Sequence, residues 1–216
     1  MNTAGGSFAR TAEERDAFQL RAQDLVGLVI ARVRYADIDY ERHVRAPNHR
    51  GPRSIIDDAE WAQPPWHYDT FDAIDYGIGI ETTAGREFTM TWDSPGWTEG
   101  VSLRETPLLG FAAAHDADIA LWDVGGRSGW SPYIGQPIDG LALHYEPSGG
   151  TTPLDSGFWC PAVTLSVANS SIHILLGDAD PSTATLTRSA DTIAIVFSPN
   201  NLPGWAGPLP VRNYKP

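Results

Sequence analysis

Apolar residues recur along the chain with two different periods, and the switch between them sets the first structural boundary. Over residues 11–21, Ala17, Phe18 and Leu20 form an apolar stripe with Arg15, Arg21 and Asp24 outside it, which is a helical pattern. Thr11 stands as the N-cap with Glu14 three residues on, the spacing of a capping box. Leu28, Ile30, Val33 and Tyr35 then fall in a β-branched run, and Gly27 ahead of them breaks the helix, so a strand follows.

From Phe71 onward the period is mainly two. Ile74, Tyr76, Ile78 and Ile80 alternate with Asp75, Gly77, Gly79 and Glu81; after a turn over 83–86, Phe88, Met90 and Trp92 alternate with Glu87, Thr89 and Thr91. This predicts a β-hairpin. A second hairpin joins Val163, Leu165 and Val167 to Ile172, Ile174 and Leu176 through Asn169, Ser170 and Ser171. Further strands are predicted at 119–124, 138–145 and 193–197. Between the two periodic parts, residues 41–70 carry Pro47, Pro52, Pro64 and Pro65, which remove ladder donors and predict an irregular loop, either functional or misread. The proline-rich 201–216 reads as an extended surface tail. The expected fold is mainly β, an antiparallel sandwich or distorted barrel with one N-terminal helix. Its parts are a helix and lead-in over 1–27, a single β-rich domain over 28–200, and the tail.

Composition narrows the function. At 42% hydrophobic the chain can build a sizeable core. Its formal charge is −12, which disfavours duplex DNA and anionic membrane surfaces as partners. Residues 61–216 hold 17 acids and 6 bases, so they carry nearly all of the excess. The bases Arg42, Arg45, Arg50 and Arg53 cluster in the proline-rich loop, where they are either solvated or folded back onto the acidic body. No apolar run has the ~18 residues of a membrane span. The N-terminal stretch lacks the apolar region of a secretory signal, so a cytoplasmic protein is expected. The single cysteine, Cys160, excludes an internal disulfide framework and a multi-cysteine metal site.

Catalytic patterns are sparse. Gly126-Arg127-Ser128-Gly129 resembles a nucleophile elbow, but Trp130 stands where the elbow needs glycine. Cys160 lies at the edge of an apolar strand, the setting of a buried free thiol. His67 with Asp69, His115 with Asp116 and Asp118, and Asp178 with Asp180 are small clusters, without the spacing of a known metal motif. Carboxylate pairs recur at Asp37 and Asp39, Asp72 and Asp75, and Glu81 and Glu87; Asp37 and Asp39 share one face of a strand, although a glycosidase would need such a pair across a cleft. No catalytic residues, metal ligands or cofactors are assigned. Eight tryptophans, several near acids in Gly/Pro-rich turns, read as caps on an open sandwich end or as anchors of an acidic binding surface.

The order Thr91-Trp92-Asp93, Leu121-Trp122-Asp123-Val124, Trp130 with Ile134, Gly135 and Ile138, Trp159-Cys160-Pro161, then 191–197, resembles a family of uncharacterised bacterial β-rich proteins over about residues 70–200. That family carries no established activity or site residues over to this chain. In type it is similar to the immunity proteins of bacterial toxin systems. The expected function is therefore a non-enzymatic acidic protein that blocks a basic protein partner, such as a toxin, through Trp97, Glu99, Asp116, Asp118 and Asp123. The alternatives are a carbohydrate-binding sandwich using exposed tryptophans and a metal- or cysteine-dependent hydrolase.

Overall fold

The computed structural model describes residues 3–49, 51–94, 99–110, 118–148, 156–180, 182–189 and 191–197. The expected tail over 201–216 lies outside them, as do Arg50, Trp97, His115 and Asp116. The fold is mainly β and antiparallel, a sandwich of two open sheets with one N-terminal helix of any length.

The helix α1 (Ala12–Ala22) starts where the capping residues predict. Thr11 accepts a hydrogen bond from the Glu14 N–H at 3.1 Å, and the Glu14 carboxylate accepts from the Arg10 N–H at 2.8 Å. The helix ends in a 3-10 turn, and the chain then reverses at Gly27, whose φ of +88° suits glycine. The predicted stripe is only partly inward: Phe18 and Ala22 are buried, whereas Leu20 is 73% exposed. The buried stripe therefore runs through residues 18 and 22, one turn apart, and residue 20 falls on the opposite side.

The first sheet is ordered β1 (Thr3–Gly5), β8 (Gly100–Arg104), β7 (Glu87–Asp93), β6 (Gly77–Thr82), β3 (Ile30–Ile38), β9 (Ile119–Asp123), β4 (Arg53–Ser54). Only the β4–β9 pair is parallel. The second sheet is ordered β10 (Ile138–Pro147), β11 (Phe158–Val167), β12 (Ser170–Leu176), β15 (Ile193–Val196), β5 (Asp72–Ile74), with β2 (Phe8–Ala9) pairing the start of β11. A small ribbon, β13 (Asp178–Asp180) with β14 (Thr185–Thr187), stands apart from both sheets. Alternate residues of the two inner faces, among them Val33, Tyr35, Ile78, Ile80, Phe88 and Met90 against Leu141, Val163, Leu165, Ile174 and Ile195, form one buried core. Among the described residues no helix is long and apolar enough to cross a membrane.

Both predicted hairpins form. Ile78 faces Met90 and Ile80 faces Phe88; Val163 faces Ile174 and Leu165 faces Ile172. The second turn sits one residue earlier than expected, on Ala168 and Asn169, which both take positive φ (49° and 64°), so Ser170 already belongs to the strand. Ile74 leaves the first hairpin altogether. It ends β5 in the second sheet, opposite Ile193, and the chain crosses to the first sheet through Asp75 and Tyr76. The segment 41–70 contains the one-turn helices α2 (Arg42–Arg45) and α3 (Asp58–Trp61) around β4.

The free edge of β10 is covered by α1. The Gln19 amide accepts from the Leu143 N–H at 2.9 Å and donates to the Leu141 carbonyl at 3.1 Å, imitating a neighbouring strand, and Gln23 donates to the same carbonyl at 2.8 Å. Gln19→Ala leaves the Leu143 N–H without its partner and is expected to cost about 1–3 kcal/mol. In thermal unfolding that corresponds to a drop of roughly 2–10 °C for a chain of this size. An unchanged melting temperature would show that the amide is not what closes the edge.

Candidate functional site

A cavity of about 360 Å³ opens at the end of β3, where the chain crosses between the sheets. Its formation follows from three local features. Asp37 and Asp39 alternate with Ile38, so both carboxyls turn to the same side; they are 7% and 8% exposed, while Ile38 is 36% exposed. The crossing at Asp75 aims its N–H at Asp37 Oδ1, 2.9 Å away. The 41–70 segment then folds over this face and contributes Arg45, Arg53, Glu60 and Trp66 to the wall.

The lining carries six carboxylates, those of Asp37, Asp39, Glu41, Glu60, Asp75 and Asp178, against the two guanidiniums of Arg45 and Arg53. The arginines are already committed. Arg53 donates to Asp39 Oδ2 through Nε (3.1 Å) and Nη2 (3.0 Å), and to both oxygens of Glu60 (2.8 and 2.9 Å). Arg45 bonds Glu60 at 3.2 Å and pairs with Glu41 one turn earlier. Arg53 and Arg45 hold the Glu60 carboxyl below its ordinary range. Among the described residues, Asp37, Asp75 and Asp178 have no arginine partner.

Asp37 feels this most. Burial, with smaller contributions from Asp75 and Asp39, pushes its carboxyl up to about 7, although the N–H donors of Asp75 and Ile38 oppose the shift. Hydrogen bonding to Asp75 likewise holds the Tyr40 hydroxyl up at about 12. Aromatic rings complete the wall: Tyr40, Trp66, Tyr68 and Trp122. Trp66, Trp122 and Trp61 meet edge to face at 5.0–6.2 Å. The indole N–H groups of Trp66 and Trp122 are buried without a hydrogen-bond partner. Of the lining residues, Tyr40 is 70% exposed.

The residues expected to bind a partner do not lie in this cavity. Trp97 and Asp116 fall outside the described residues. Glu99 is half-buried, with Oε2 enclosed and unpartnered. Asp118 and Asp123 stand at opposite ends of β9, each paired to an arginine: Arg42 at 3.4 Å and Arg32 at 2.7 Å. None of the described tryptophans is exposed; Trp66, Trp122 and Trp130 are buried and Trp61, Trp92 and Trp159 half-buried. Of the acidic clusters, Asp178 lines the cavity, and Asp180 caps Ser182 instead, accepting from its N–H at 2.8 Å. Among the described residues no three histidine, cysteine or acidic side chains converge as a metal site. The Cys160 thiol is fully buried, and burial pushes it up to about 12, so it stays protonated and unreactive at neutral pH.

The raised Asp37 carboxyl ties stability to pH. Between its unfolded value of 3.8 and about 7 the folded chain binds the extra proton, so this group's contribution to stability falls as pH rises through that window. Three pH units correspond to at most about 4 kcal/mol. Asp37→Asn removes the titration, so the variant should gain on the parent chain between pH 4 and pH 8 in denaturant unfolding; parallel pH profiles would refute the assignment. No protein-family model, curated protein or solved structure matches the chain, so the meaning of the site rests on its own geometry.

Proposed function

We propose that the protein captures a basic protein partner by receiving an arginine side chain of that partner in the acidic cavity. The observation that carries this reading is the imbalance among the described lining residues, six carboxylates, three of them without an arginine partner, against two neutralised arginines. A guanidinium supplies the missing charge, five N–H donors and a planar face for the aromatic walls. A cation entering the site is drawn in by the field of a chain with net charge −12. The exposed lining residues Ile38 and Tyr40 support contact with the surface around such an arginine. Inhibition of a basic toxin, raised from the sequence, is one biological form of this reading. It moves the contact residues from the turns first suspected to Asp37, Asp75, Asp178 and Tyr40.

The probe is a short capped peptide with one central arginine, titrated while the emission of Trp66 and Trp122 is followed, with a glutamine peptide as control. Saturable binding of the arginine peptide alone is expected. It should weaken about tenfold in Asp75→Asn, and weaken with added salt. Affinity should rise between pH 5.5 and 8, because the Asp37 proton and the cation compete for the same carboxylate. Equal behaviour of the two peptides, or indifference to Asp75→Asn, would overturn the reading.

A further inference from the structure

A second cavity, of about 250 Å³, lies on the other side of the hairpin that leads into β5. In that hairpin Trp66 receives a hydrogen bond from the Ala73 N–H, His67 bridges Asp72, and the Tyr68 N–H bonds the Phe71 carbonyl, with Asp69 and Thr70 at the tip. The cross-strand pair His67 and Asp72 is joined side chain to side chain, His67 Nδ1 to Asp72 Oδ1 at 2.8 Å. Asp72 is 2% exposed, whereas the His67 side chain is 50% exposed and lines the cavity.

A fixed chain of donors sets the state of this histidine. The Trp130 indole can only donate, and it gives its N–H to the Tyr35 oxygen at 2.7 Å. Tyr35 must then send its own O–H onward to Asp72 Oδ2, at 2.8 Å. One oxygen of the carboxylate is thus occupied by a fixed donor, and the other faces His67. With Asp72 ionised, the proton of a neutral imidazole stays on Nδ1 and the lone pair on Nε2. This is an imidazole oriented by a buried carboxylate that is itself oriented by a tyrosine, the arrangement a general base needs. The acidic cavity of the proposed function makes no use of it.

The geometry points to His67 as the general base of a second, hydrolytic site that cleaves uncharged carboxylic esters. The class of substrate follows from the lining. Tyr68, Phe71, Phe197 and Gly129 supply apolar surface, and a Cβ at residue 129 would collide with the Phe197 ring. Among the described lining residues there is no arginine or lysine, whereas Asp69 and Asp72 are present, which disfavours phosphate esters and other anions. In the reaction, His67 Nε2 takes a proton from a water whose oxygen bonds to the ester carbonyl carbon. The tetrahedral adduct collapses, the bond to the alcohol oxygen breaks, and the imidazolium returns its proton to the departing alkoxide. Asp72 and Tyr35 are positioning residues: they hold the tautomer and stabilise the transient imidazolium.

The test uses the full chain with p-nitrophenyl butyrate, and p-nitrophenyl phosphate as the anionic control. Saturable release of nitrophenol is expected from the butyrate only. His67→Gln, whose side-chain amide can still donate to Asp72, is expected to lose about 100-fold in rate. His49→Gln, a histidine exposed on the surface elsewhere, should lose nothing. Tyr35→Phe should lower kcat by a larger factor than it raises KM. Nitrogen NMR at pH 8 reads the tautomer directly, with Nδ1 protonated and Nε2 bare. A rate unaffected by His67→Gln, a non-saturable rate shared equally with His49, or the opposite tautomer would each overturn the proposal. These outcomes are independent of arginine binding, because that titration probes the other cavity.

Discussion

The hydrogen bond from Tyr35 to Asp72 joins the two sheets through the middle of the core. Tyr35 belongs to β3 of one sheet, Asp72 to β5 of the other, and both are almost wholly buried. A carboxyl in such a place is costly unless its oxygens are satisfied. Here burial raises the Asp72 carboxyl above its ordinary value, and the hydrogen bonds to His67 and Tyr35 oppose that rise in part. Two features depend on that compensation. The register of β5 against β15 is held beside the core, and the hairpin from Trp66 to Ala73 is pinned at a defined height above it. Without the pin, the walls of both cavities would lose their reference to the sheets.

Charge is handled in two ways over the same region. In the 41–70 segment the arginines neutralise acids close at hand: Arg42 meets Asp118, Arg45 meets Glu41 and Glu60, and Arg53 bridges Asp39 and Glu60. The short helices and β4 are thereby tied to the rim of the first sheet, in a stretch whose prolines forbid longer ladders. Among the described residues, Asp37, Asp75 and Asp178 are left without arginine partners. For Asp37 the cost is burial above all, with Asp75 and Asp39 adding to it, and its raised carboxyl records that cost.

What the sequence made legible is the part governed by local rules. The Thr11 cap, the break at Gly27 and the facing pairs of both hairpins follow from residue type and spacing alone. The alternation of Asp37, Ile38 and Asp39 was equally visible, and it correctly put two carboxyls on one face. What it could not reveal was that the face is inward, because that depends on a chain crossing at Asp75 and on Asp178, 140 residues away from Asp37 and 39. Ile74 illustrates the same point: its period fits β6, yet its partner is Ile193. Dividing the charge by halves of the chain hid the site too, since four of its six acids come from the nearly neutral first 60 residues. The tryptophans misled for a different reason. Their Gly/Pro-rich neighbours suggested exposed turns, but large rings in such turns plug the ends of a sandwich, as Trp130 does against Tyr133 and Phe197.

The hairpin between Trp66 and Ala73 is where the two cavities meet, and strand alternation explains how eight residues serve both. Trp66, Tyr68 and Ala73 line the acidic cavity, while His67, Asp69 and Asp72 line the other, with Tyr68 touching each. Trp66 is the mechanical link, because its ring lies 6.0 Å from that of His67 and 5.0 Å from that of Tyr35. The Trp66 ring, a wall of the acidic cavity, thus stands beside both ends of the Tyr35, Asp72 and His67 chain. A hairpin this short has a single backbone for both faces, so the residues that place the acidic wall also place the imidazole.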